Sequence, residues 1–376
     1  MNRRTQRTVT HLAIFLAILT LLILLNRPPS TQRTFAWTRI RYKTTARSLP
    51  AAHGQCPGLS KSSKPALVVS HVQSDGDTSW LTDSPLAKKY HLCIYNVDAD
   101  PSTSSTSSTL RVPSNRAHEA MAYLTFLIDN YDSVPAAGAV FVHGSRYAWH
   151  NDAPDYDNAY LLSLLDVDAA LAPAGYHNLR CDWSVSMCLP SSPPQGSLQM
   201  KFQSAVDPFD ARAKSDAALP GALAAIFGDG QSEGVLAPSR HEAVRSQCCA
   251  QFVVSRERIR GHSKEEYVAL RQWLLDGAEV VGNSRAMQRV GFAPKDDKVA
   301  GRIISYIWHI LFLDVGSSSG YEGGIDLDLL NRAACPSAED CYCRLYGRCG
   351  LKCRSPGSCL GQYRVPPGYK VPKRDV

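Results

Sequence analysis

The chain has 376 residues, 44% of them apolar and 20% charged, with 16 Tyr and 6 Trp, a globular composition that excludes disordered and collagen-like classes. Its net charge of +7 is uneven: residues 1–50 hold nine Lys/Arg and no Asp/Glu, residues 51–334 hold 24 against 31, and residues 335–376 hold eight against three. The acidic middle argues against a DNA-binding body and leaves only the two basic ends to meet any nucleic acid.

Val9 to Leu25, VTHLAIFLAILTLLILL, would span about 26 Å as a helix, close to the thickness of a secretory-pathway bilayer. Asn26-Arg27-Pro28-Pro29 follows instead of the small residues of a cleavage site, so residues 9–25 are expected to stay as the anchor of a single-pass endomembrane protein. Arg3, Arg4 and Arg7 before the run are outnumbered by Arg27, Arg33, Arg39, Arg41, Lys43 and Arg47 after it, which places the body in the cytosol by the positive-inside rule. Residues 1–26 thus read as the anchor, and residues 27–65, rich in Arg, Thr, Ser and Pro, as a stem.

Residues 66–334 read as an α/β catalytic domain. Ala66–Val72 and His91–Val97 are short apolar, β-branched runs suited to parallel strands, with a short helix through Trp80, Leu81 and Leu86 between them. Residues 101–109, PSTSSTSST, are expected to loop out. From Arg116, the residues Ala120, Leu124, Leu127, Ile128 and Tyr131 share one helical face, with Asn115 placed to cap it. Ala139–Gly144 is a third strand whose last residues open into a site. Ser263 to Glu266 is a capping box leading the helix of Tyr267, Leu270, Trp273 and Leu274, and another helix runs through Ile303, Ile307, Leu311 and Phe312.

Ligands of open α/β sheets bind beyond the carboxyl ends of the strands. The richest such stretch is HGSRYAWHND, where His143 and His150 offer a base, Asp152 a carboxylate, Arg146 an anion clamp and Trp149 a stacking surface. Asn115 and Glu119 sit at a helix start, where the dipole favours an anion. Asp276 and Glu279, three apart on one helical face, suit a guanidinium or a proton relay. Asp75/Asp77, Asp98/Asp100 and Asp155/Asp157 match the bare Asp-x-Asp pattern of a divalent-metal site. Phosphate loops, nucleophile elbows, H-E-x-x-H and G-x-G-x-x-G are absent from the sequence.

Residues 335–376 form a Cys-rich basic tail. Cys335, Cys341, Cys343, Cys349, Cys353 and Cys359 read first as a disulfide knot, with a zinc site as the alternative. Disulfides would put the body in the lumen, against the charge rule. No N-x-S/T acceptor occurs in the chain.

The stretches SNRAHEAMAYLTFLIDNY (114–131), VFVHGSRYAWHND (140–152), GYHNLRC (175–181), AQFVVSRERI (250–259), GRIISYIWHILF (301–312) and CPSAEDCYCRLYGRCGLKC (335–353) resemble a mainly fungal family catalogued as a domain of unknown function. The resemblance implies a Rossmann-like, glycosyltransferase-A-like fold with a mixed or parallel sheet and flanking helices. It also implies kinship with fungal arginine-containing cyclodipeptide synthases, whose catalysis is linked to an Asp-x-x-Glu motif matched here by Asp276 to Glu279. Ser305 departs from the Glu usual before the family's Trp-His pair. The leading expectation is cyclodipeptide synthesis from arginyl-tRNA and a second aminoacyl-tRNA, without cofactor. The alternative is a lumenal glycosyltransferase using a nucleotide sugar and a divalent metal.

Overall fold

A computed structural model describes residues 3–25, 34–44, 46–99, 110–228, 237–279, 291–315 and 324–362, so the expected loop at 101–109 lies outside the described residues. The chain divides at Arg33 into two units. The first is helix α1 (Arg3–Leu25), of which Thr5–Ile23 is long and apolar enough to cross a membrane.

The second unit is built on a six-stranded sheet of β1 (Ala66–His71), β2 (His91–Asn96), β3 (Leu110–Arg111), β4 (Ala139–His143), β5 (Tyr176–Asn178) and β6 (Phe252–Val254). Their order is β3-β2-β1-β4-β6-β5. Strands β3, β2, β1 and β4 are parallel, whereas β6 runs antiparallel to both β4 and β5. Alternate residues point to opposite sides: Ala66, Val68, Phe141 and Phe252 enter one apolar cluster, while Leu67, Val69, Val140 and Val253 enter another. Burial on both faces is why these strands read as continuous apolar runs.

The first face carries helices α2 (Glu119–Asp129), α4 (Ala211–Phe227), α5 (Lys264–Glu279), α6 (Asp297–Ser305) and α7 (Trp308–Phe312), with α3 (Leu198–Val206) packed on α4, and the second is covered in part by α8 (Ala338–Tyr346). The capping box forms, with Ser263 N–H donating to Glu266 and Glu266 N–H to Ser263 Oγ. Asn115 is exposed and does not cap α2, whose N-cap is His118. The helix expected through Ile303 to Phe312 breaks at Tyr306 and Ile307 into α6 and α7.

Residues 34–44, inside the segment that composition reads as stem, pack on the body. Phe35 and Trp37 are fully buried and stacked at 4.3 Å, and Thr34–Phe35 pairs with Ile325–Asp326. This segment is strapped along α5: Glu266 accepts from Ile40 N at 2.8 Å and Arg39 at 3.1 Å, and Asp276 accepts from Tyr42 Oη at 2.6 Å. Burial opposes the Glu266 charge, but hydrogen bonds from His262, Ser263 N and Ile40 N prevail and lower its pKa to about 2.

The tail is likewise not self-contained. Its bridges Cys343–Cys349 and Cys353–Cys359 are local, but Cys341 pairs with Cys181 and Cys335 with Cys188, which joins α8 to the body. Cys56–Cys93 and the adjacent Cys248–Cys249 complete six bridges, so the tail sulfurs are not thiolates for zinc. An apolar N-terminal helix and six disulfides are consistent with a secretory-pathway protein.

Candidate functional site

Strand order reverses between β1 and β4, the place where an α/β sheet opens a crevice at its carboxyl edge. His71, ending β1, is committed there: Nδ1 meets Asn96 Oδ1 at 3.0 Å and Nε2 meets Gly76 O at 2.8 Å. Gly144, just past β4, passes so close that a Cβ would lie 2.7 Å from both His71 Cα and Asp75 Oδ2. A side chain there would push the following loop away from β1.

That loop, residues 144–158, is internally laced. Asn158 Nδ2 donates to Ser145 O at 2.8 Å, and Asn151 Nδ2 donates to Asn158 Oδ1 at 2.9 Å. The Arg146 guanidinium meets both oxygens of Asp157 at 3.2 and 3.1 Å, so this expected anion clamp braces the loop. Asp152, the expected catalytic carboxylate, is buried, and its Oδ2 accepts from Cys181 N, Asp182 N and Tyr342 Oη at 2.6–2.9 Å. It fastens α8 to the loop.

The remaining residues of the stretch form a stack of three rings. His143 lies on His150 with centroids 3.9 Å apart, and His150 lies on Trp149 at 4.4 Å; Trp149 is 55% exposed. The backbone N–H of His143 donates to Gln251 Oε1 at 3.1 Å, and its Nε2 lies 3.0 Å from the Cys249 carbonyl. His150 Nδ1 is buried without a hydrogen-bond partner. Burial, then the charges of His143, Arg180 and His118, push the His150 pKa down to about 2. The ring is therefore neutral at physiological pH, and every charge acting on it is cationic or can become so. Arg180 is itself buried, donates to Trp149 O at 2.7 Å and Asn151 O at 2.8 Å, and leaves Nε without a partner. Arg180 also pairs with buried Asp182 at 3.8 Å, so what the site leaves unmet are the hydrogen-bonding capacities of His150 Nδ1 and Arg180 Nε, which an anion could satisfy.

The backbone around it is strained. The six non-glycine residues with positive φ among the described residues fall in three pairs: Ala117 and His118, Asp155 and Tyr156, Cys249 and Ala250. The first pair carries His118, the second lies in the His150 loop, and the third holds the carbonyl facing His143. Such conformations cost about 1–3 kcal/mol each and gather at functional sites.

Glu119 is half-buried in the first turn of α2, next to His118, and its charge adds to the burial that raises the pKa of Tyr123, whose hydroxyl has no partner. Asp276 is apart from this network: it accepts from Tyr42 and, at 3.0 and 3.2 Å, from Thr44 Oγ1, while the Glu279 side chain lies outside the described residues. Burial, with the Asp276 hydrogen bond and charge, raises the Tyr42 pKa.

The acidic pairs do not fit a divalent ion. Asp75 accepts from Val72 N and Asp98 from Gln73 N, Asp77 binds Ser79, Asp157 holds Arg146, and Asp100 lies outside the described residues. Among the described residues one triple has metal-like spacing, Cys56, His91 and Cys93, and its cysteines are bridged.

His118, Arg180, Gln251 and the Cys248–Cys249 pair were missed as site residues. Only the adjacency of the two cysteines was a visible signal. Residues 67–344 match one family model, described as a protein of unknown function (DUF3431). No curated protein and no solved structure matches the chain.

Proposed function

The chain belongs to the DUF3431 family, and we propose that it is a membrane-anchored, lumenal transferase with a glycosyltransferase-like body that accepts a nucleotide-sugar donor. The observation that carries this reading is the His150 ring, stacked between His143 and Trp149 with a buried, unpartnered Nδ1, beside the buried Arg180 whose Nε also lacks a partner. A diphosphate fits such a place, since His143, His150 and Arg180 would offset the charge that grows on the leaving nucleotide. Exposed Trp149 would stack a sugar or base ring. The bond from the anomeric carbon to phosphate oxygen breaks, the acceptor oxygen takes its place, and the acceptor's proton leaves to a base, for which Glu119 is the nearest carboxylate in sequence to His118.

A second reading, arginine-containing cyclodipeptide synthesis, is motivated by the buried Asp276 of α5. It requires Asp276 to exchange the hydroxyls of Tyr42 and Thr44 for a guanidinium, and the body to meet cytosolic tRNA. Six disulfides favour an oxidising compartment, so it ranks second.

The test is to assay the full-length chain with a panel of nucleotide sugars and, separately, with arginyl-tRNA. Transfer from a nucleotide sugar that drops about 10²–10⁴-fold in His150→Gln supports the proposal. A ribonuclease-sensitive arginine diketopiperazine, with no sugar transfer, overturns it in favour of the second reading.

A further inference from the structure

Helix α3 is amphipathic in an unusual direction. Met200 points inward, but Leu198 is 61% exposed, Phe202 71% and Val206 66%, at the i, i+4 and i+8 positions of one face. Phe209, in the turn before α4, is 94% exposed and extends the stripe. Asp210 caps α4 through Ala213 N, so the turn is a defined hairpin corner and not a frayed end. Four large apolar side chains exposed together mark a contact surface.

We propose that this α3–α4 hairpin rests on the surface of the bilayer in which α1 is anchored, with Phe202 and Phe209 entering the headgroup–acyl boundary. Chain length is the first argument. Leu25 ends α1 and Thr34 begins the body, so the link spans at most about 30 Å even fully extended. The body is thus tethered beside a lipid surface at high local concentration.

The second argument is position: the tethered segment enters the body at Thr34, against Ile325–Asp326, and then meets the same hairpin, with Arg41 N and Tyr42 N donating to Ile226 O at the end of α4 away from the Phe209 corner. The third argument is chemistry: aromatic and aliphatic residues with exposed Lys201 alongside are the composition of an interfacial helix.

The full-length chain is reconstituted in phosphatidylcholine vesicles containing a phosphatidylcholine with a diazirine in its acyl chain, irradiated, and digested for peptide mapping. Label is expected on α1 and on residues 198–209. In Phe202→Ser/Phe209→Ser the 198–209 label should fall at least about five-fold, with α1 labelling and the melting temperature unchanged. Three results overturn the proposal: label at 198–209 no higher than on the exposed strand Lys352–Ser355, chain-to-chain cross-links at 198–209 that assign the face to a second copy, or an unlabelled α1.

Discussion

The bridges Cys181–Cys341 and Cys188–Cys335 fasten the tail at two nearby points, and their effects on stability should be strongly non-additive. Taken alone, each closes a long loop, with sequence separations of 160 and 147 residues. Loop-closure entropy then gives about 5 kcal/mol for whichever bridge is the only one present. With the other bridge intact, the residual loop runs only from Cys181 to Cys188 and back from Cys335 to Cys341, about 15 residues, for which the same relation gives about 3 kcal/mol. Replacing one pair with serines should cost about 3 kcal/mol, while replacing both should cost about 8 kcal/mol, more than twice as much. The assay is guanidinium unfolding of the solubilised full-length chain as wild type, Cys181→Ser/Cys341→Ser, Cys188→Ser/Cys335→Ser and the quadruple variant. Simple additivity of the two pairs would refute the shared-loop reasoning.

His309 is fully buried, and burial alone pushes its pKa down to about 3. The folded ring stays neutral where the unfolded ring, at about 6.5, protonates, so its contribution is intact above pH 6.5 and is lost as pH falls toward 3. Between pH 7 and pH 5 this amounts to about 2 kcal/mol, and His309→Leu should lose that much less on acidification; an equal loss in both proteins would count against it. Asp276→Asn weakens hydrogen bonds from Tyr42 and Thr44 and should lower unfolding stability by about 2 kcal/mol, whereas a free arginine pocket would leave stability unchanged. Replacing both Cys248 and Cys249 with Ser frees the Cys249 carbonyl that faces His143, so turnover should fall with little change in melting temperature; unchanged turnover would separate that bridge from the site.

The parallel strands were legible because burial on both faces leaves an apolar signature in Ala66–His71 and Ala139–His143. The antiparallel part was not: β5 and β6 have three residues each, too few to show a period. Phe35 and Trp37 sat in a run of Arg and Thr that composition alone reads as stem, and only the fold buries them, with Ile40 and Tyr42 beyond them bonded to α5. The tail cysteines could be counted but not paired, since their partners Cys181 and Cys188 lie about 150 residues away.

At the site, His143, Trp149 and His150 were legible because they share one stretch after a buried strand. Asp152 and Arg146 came from the same stretch, yet their charge is spent on Tyr342 and Asp157, partners that sequence spacing does not reveal. His118, Arg180 and Gln251 arrive from three distant segments.

His150, with its unpartnered Nδ1 beside Arg180, is proposed to take an anion. The direct measurement is calorimetric titration of a nucleoside diphosphate at pH 7 into the full-length chain as wild type and as His150→Gln. If the unpartnered His150 Nδ1 meets the anion, the wild type binds and His150→Gln binds at least about ten-fold more weakly. Equal binding by the two proteins, or no binding by the wild type, would contradict this.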